Sequence, residues 1–204
     1  MRRALALIAV ASLAACEKKP SAQPERSEPV VTTNSDVELS WTLARDGERL
    51  ALTYALVNKT AQPIFVADRL IARHGGKRKL VPERVIVMTG DGGDVVRFAR
   101  GMVESDAEEF NHPPAAVELA AGASHSGSAV VPLPLKGWHN YTTPPPIPNN
   151  PARAELEIAY LAPAGDPVEL QSIKLDDGAR VKVPAIGIYL KLARTIRTAP
   201  RQLP

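Results

Sequence analysis

The chain has 204 residues, a formal net charge of +3, 45% apolar and 4% aromatic residues, and a single cysteine. That apolar fraction suits a folded, core-forming protein and argues against long disorder, while one cysteine excludes an intramolecular disulfide framework. Nineteen prolines, about 9% of the chain against an average near 5%, disfavour a helical bundle because proline breaks helix interiors.

The first element in chain order is an export signal. Met1, Arg2 and Arg3 make a positive start, and residues 4–15 follow with only Ser12 polar, the n-region and h-region of a secretory signal. Twelve residues rise about 18 Å as a helix, short of the roughly 30 Å hydrocarbon core, so the stretch is too short for a permanent anchor. It ends in Leu13-Ala14-Ala15-Cys16, with the sole cysteine directly after small residues. This segment resembles the bacterial lipobox. The resemblance implies removal of residues 1–15, a diacylglyceryl group on the Cys16 sulfur and acylation of the new amine. The alternative is an ordinary signal cut after Ala15 that leaves Cys16 as a free terminal thiol. Each buried methylene contributes about 0.8 kcal/mol, so two or three acyl chains hold a protein where one holds it marginally. Cys16 is therefore read as the lipidation site and membrane anchor, not as a nucleophile. By the sorting rule of Gram-negative lipoproteins, Glu17 in place of an aspartate implies the outer membrane, with the body facing the periplasm.

Residues 16–35 form the lipidated end and a polar linker carrying Pro20, Pro24 and Pro29, which reads as a flexible tether. Nineteen linker residues give a typical reach of about 24 Å and an extended limit near 60 Å.

From Asp36 the dominant period is two. Val37, Leu39, Trp41 and Leu43 alternate with polar residues, Asp46-Gly47 marks a turn, and Leu50, Leu52, Tyr54 and Leu56 alternate again, predicting an antiparallel hairpin. Asn58 to Pro63 is turn-forming, and residues 64–67 resume the strand pattern. Further strands are predicted at 84–88, 95–99, 116–119, 128–133, 154–161, 168–175, 181–183 and 186–192. The Asp176-Asp177-Gly178 turn makes a second hairpin. Between Pro132 and Pro151 seven prolines exclude a central strand or helix and predict a long, partly extended loop.

The passage LALTYALVNKTAQPIFV at 50–66 resembles the strand, Asn-x-Thr turn, Pro-Ile-x-Val strand of bacterial immunoglobulin-like domains. With the strand count, it implies an all-β, immunoglobulin-like antiparallel β-sandwich over residues 36–199 and a C-terminal tail at 200–204, with fraying expected from Thr195 to Pro204. A division into two domains near residues 101–114 is the alternative.

Candidate chemistry is sparse. His74, His112, His125 and His139 lack the short paired spacings of zinc sites, so no metal or other cofactor is assigned; convergence of His112, His125 and His139 in a metal-dependent hydrolase is the enzymatic alternative. Ser124-His125-Ser126 lies in no nucleophile elbow, and residues 122–128 read as a turn leading into a strand. The acidic pairs at 108–109 and 176–177 read as solvated turns, and Lys77-Arg78-Lys79 lacks the interleaved aromatics of a nucleic-acid face. Asn58-Lys59-Thr60 and Asn140-Tyr141-Thr142 match the glycosylation sequon, which a bacterial export signal makes irrelevant.

One aromatic cluster stands out. Trp138, His139 and Tyr141 precede three consecutive prolines, and such rings combine an apolar body with a polar edge on a loop that proline stiffens. They are the candidate ligand-binding loop, for an envelope protein or for a polysaccharide such as peptidoglycan; the competing reading makes Trp138 an internal plug. Loss of Arg2 and Arg3 with the signal leaves 23 of 25 basic residues against 22 acidic, a charge of +1, which favours neither nucleic acid nor any acidic partner. The expectation is a non-enzymatic, lipid-anchored binding module.

Overall fold

The period-two pattern of residues 37–57 builds the first sheet. A computed structural model describes residues 28–102, 113–140, 143–163 and 167–204. The signal, Cys16, most of the tether, His112, Tyr141 and nearly all of the segment considered as a domain division lie outside the described residues.

Strands β1 (Val30–Thr33), β2 (Val37–Asp46), β3 (Arg49–Asn58) and β10 (Ser124–Pro132) form a four-stranded antiparallel sheet in the order β1-β2-β3-β10. Asp46 faces Arg49 across the β2–β3 hairpin, and Gly47, at φ 58°, supplies the left-handed backbone of its two-residue turn. Val37, Leu39, Trp41 and Leu43 on β2, with Leu50, Leu52, Tyr54 and Leu56 on β3, all point inward and are buried.

The second sheet has the order β7-β8-β11-β4-β9, formed by β7 (Ile86–Thr89), β8 (Val95–Arg100), β11 (Arg153–Leu161), β4 (Ile64–Arg69) and β9 (Ala115–Leu119). Its strands β8 and β11 run parallel, the one exception among the strand pairs of the two main sheets, which are otherwise antiparallel. The inner faces meet in one core that joins Trp41, Leu52 and Leu56 to Ile64, Phe98, Leu156 and Ile158. Each such large side chain contributes about 1.5–3 kcal/mol on burial. The result is an all-β, sandwich-like fold, with small hairpins β5 (Ile71–His74) with β6 (Lys77–Leu80) and β12 (Leu170–Lys174) with β13 (Arg180–Pro184) attached.

Several segments depart from the sequence expectation; β5 and β6, for example, pair over residues 71–80, where no strand is predicted. Residues 186–192 form helix α1 (Ile186–Leu192), not a strand. A strand would have turned Ile186, Ile188, Leu190 and Leu192 to one side. The helix instead groups Ile188, Tyr189 and Leu192 against Leu161 and leaves Ile186 and Leu190 exposed, because burying the Tyr189 ring outweighs a strand period that has no pairing partner. Residues 124–127, expected as a turn, already belong to β10, since the ten-residue β3 offers a partner to every residue from Ser124 to Pro132. The turn falls earlier, at Gly122 with φ 70°. Within the expected tether, Val30–Thr33 pairs with β2, and Val30 packs on the core. At the far end, β14 (Ala193–Arg197) and β15 (Arg201–Gln202) both pair with β11, and Leu203 packs on the core, so residues 195–204 are no frayed tail.

Asn58, in the Asn-x-Thr turn, is fully buried and acts as an internal cap. Its amide donates to the carbonyls of Gln62, Leu119 and Ala120, and its Oδ1 accepts from the Thr60 N–H and hydroxyl. The turn chemistry of that motif is thereby a packing device between the two sheets.

Candidate functional site

The loop after β10 is extended and pinned to the edge of β7. Trp138 exchanges backbone hydrogen bonds with Val87, its N–H donating to the Val87 carbonyl at 3.0 Å and its carbonyl accepting from Val87 at 2.9 Å. Further along, Pro146 accepts from Thr89. Gly137 lies against the Pro145 carbonyl so closely that a β-carbon would fall 1.8 Å from that oxygen, which explains glycine there. The Trp138 ring is half-buried against the core, and the Arg84 guanidinium sits over it at 5.3 Å from the ring centroid.

Between this loop and the end of β10 opens a cleft of about 330 Å³. Its buried lining is Val85, Val87 and Val131, the half-buried Leu133, Trp138 and Arg84 continue it, and Pro134 and Lys136 line it from the exposed side. Val130, at 41% exposure, extends the apolar lip. Trp138 thus serves both as partial plug and as cleft wall. His139 is half-buried, and burial pushes its imidazole pKa down; the cleft lining does not include it. Asn140 is buried and donates to the Ile71 carbonyl, holding the loop from beneath.

A second constellation was not visible as a motif. Tyr54 and His125 on the first sheet meet Asp68 and Arg100 on the second. Asp68 Oδ2 accepts from the Tyr54 hydroxyl and lies 2.7 Å from His125 Nε2. Arg100 donates to the Tyr54 oxygen at 3.1 Å, to the Ser128 carbonyl at 2.5 Å and to the Pro82 carbonyl. Burial pushes the Asp68 carboxyl up, but the hydrogen bond and charge of His125, the Tyr54 hydroxyl and the Arg100 charge outweigh it, so its pKa lies below the usual carboxylate value. Burial, and next the Asp68 charge, raise the Tyr54 phenol well above its ordinary range.

A legible signal for this cluster exists in strand phase. Asp68 continues the inward series Ile64 and Val66, Arg100 continues Val96 and Phe98, and His125 shares its phase with Ala129 and Val131. A polar residue on an apolar phase requires a partner, and these four supply one another. Orientation of one imidazole nitrogen by an acid is also the first requirement of a catalytic dyad. Here, however, the acid is 2% exposed and shared with Tyr54, which makes it a clamp between sheets.

The outer face of the second sheet carries an ionic lattice. Arg97 contacts Glu155 at 2.6 Å and Asp91 at 2.7 Å, while Arg197 pairs with Glu157 at 2.6 Å and with Asp91. Among the described residues, no three histidine, cysteine or acidic side chains gather as a metal-binding group. Comparison with protein-family models, with curated proteins and with solved structures finds no match.

Proposed function

We propose that this protein is a lipid-anchored module of the bacterial cell envelope, held by acylated Cys16 at the outer membrane, facing the periplasm and acting by binding instead of catalysis. The anchor part of the reading draws its support from Leu13-Ala14-Ala15-Cys16 and the proline-bearing linker that follows. The observation that carries the binding part is the Trp138 cleft, an apolar slot with cations in its lining, built on a loop whose backbone is tied to β7. Aromatic and arginine side chains at such a slot are the groups that dominate protein recognition. Support for the non-enzymatic part comes from His125, whose Nε2 is committed to Asp68 inside the inter-sheet clamp.

Metabolic labelling with an alkynyl fatty acid, followed by envelope fractionation, tests the anchor. The wild type is expected to carry label and sediment with membranes, and Cys16→Ala to lose both. An unlabelled wild type, or membrane retention of the unlabelled variant, would overturn the reading.

A further inference from the structure

We infer that the Trp138 cleft receives a segment of another envelope protein in which one large apolar side chain is flanked by carboxylates. The inference rests on the binding reading above and names the ligand class of that same site.

Charge is the first ground. Arg97, Arg153, Arg194 and Arg197 each face a carboxylate within 4 Å. Arg84 and Lys136 have no carboxylate within 4 Å among the described residues, a state they share with other cations such as Arg49 and Arg180; what sets these two apart is that they line one apolar cleft together, with no acidic residue in its lining. The cation–π contact with Trp138 holds the Arg84 head at the mouth, with its planar array of donors suited to a carboxylate. Because Arg84 and Lys136 come from different segments, they offer two separate charges, which suits acids on either side of a central anchor.

Lining chemistry is the second ground. The floor and walls carry aliphatic groups, prolines and one indole, with no side-chain hydroxyl or amide. A sugar placed there would find side-chain donors only on Arg84, Lys136 and the indole and would bury its remaining hydroxyls against aliphatic groups, whereas an aliphatic or aromatic side chain matches that lining. At about 330 Å³ the space lies at the lower end of ligand clefts, the scale of one or two side chains. The exposed Val130 adds apolar surface that an anchor residue would cover.

Preorganisation is the third. The reciprocal Trp138–Val87 hydrogen bonds and the close approach of Gly137 to Pro145 fix the wall before any ligand arrives, which lowers the ordering cost of binding.

The test uses the full chain with its own N-terminus in detergent micelles, read by methyl and indole NMR signals of Leu133, Val131 and Trp138. Probes are end-blocked Glu-Glu-Phe-Glu-Glu, Glu-Glu-Ala-Glu-Glu, Lys-Lys-Phe-Lys-Lys, decanoate and an N-acetylglucosamine tetramer. The acidic phenylalanine peptide is expected to shift these signals saturably and to bind more weakly at higher salt. Lys136→Glu combined with Arg84→Gln, with native-like methyl and indole signal dispersion and a cooperative urea transition of that same double variant as the folding check, is expected to weaken it at least tenfold. Unmoved signals, equal binding of the lysine or alanine peptide, or saturation by decanoate or the tetramer instead would overturn the inference. Photocrosslinking from a photoreactive aliphatic residue at position 130, on the exposed lip of the cleft, in the native envelope separates the two levels. A specific adduct alongside a silent peptide rejects the ligand class and keeps the binding reading, while silence in both rejects both. Loss of the lipid anchor would leave the NMR outcome unaffected.

Discussion

Tyr54 lies against Gly127 on the neighbouring strand, so closely that a β-carbon at Gly127 would sit 2.2 Å from the Tyr54 hydroxyl oxygen. That space lets the phenol reach Asp68 on the opposite sheet and couples strand pairing to the polar clamp. Gly127→Ala should therefore lower unfolding free energy by about 1–3 kcal/mol, the range for overpacking. Gly93→Ala, where a β-carbon meets nothing within 4 Å and φ is not positive, should stay within about 0.5 kcal/mol of the wild type. Urea denaturation of both variants checks the contrast.

Asp68 links stability to pH. Its folded carboxyl lies below the ordinary value of 3.8, so the stabilisation it supplies is present above that value and disappears as pH falls through the lowered folded one. Urea midpoints measured from pH 6 to pH 2 should fall at the acid end, and Asp68→Asn should flatten part of that decline. At neutral pH the same variant takes away the buried charge to which the Tyr54 hydroxyl and His125 Nε2 are hydrogen-bonded and should cost about 1–3 kcal/mol. An Asp68→Asn protein as stable as the wild type at pH 7 would contradict the clamp.

Arg97 is the hub of the ionic lattice. Its side chain is 11% exposed and that of Glu155 only 2%, so truncation strands a carboxylate that cannot rehydrate freely. Arg97→Ala should destabilise by about 3 kcal/mol, and Arg97→Ala with Glu155→Gln by clearly less than the two single changes added together. The exposed Lys59–Glu38 pair should contribute under about 1 kcal/mol in the same double-mutant cycle.

The C-terminal residues are structural. Arg201 stands 5.5 Å from the Trp41 ring centroid, Leu203 packs on the core, and its N–H donates to the Ala152 carbonyl at 3.0 Å. A chain ending at residue 200 should lose about 2–3 kcal/mol and show a shifted Trp41 fluorescence spectrum.

Much of the fold was legible because its strands are half-buried. Leu39, Trp41, Leu52 and Leu56 sit on one phase, and period-two hydrophobicity is a local property that needs no knowledge of the partner strand. The same rule misread residues 186–192, where alternating apolar residues wind into α1, since packing of Tyr189 and not local pattern selected the helix. It also passed over Ser124 to Gly127, because the inward positions there are His125 and Gly127 and carry no apolar mark.

For the site, Trp138 stood out through the rarity of aromatics in this chain and the prolines after it. Its partners Arg84 and Val87 lie about fifty residues earlier, and only the pairing of the loop with β7 brings them to the same cleft. Neighbours along the chain set the strand phases and the Asp-Gly turns, and these could be read without any knowledge of the fold. The tertiary structure alone decided which polar residues meet inside. Tyr54, Asp68, Arg100 and His125 come from four strands of two sheets, and a buried polar group finds its partner by distance in space, which no local pattern encodes.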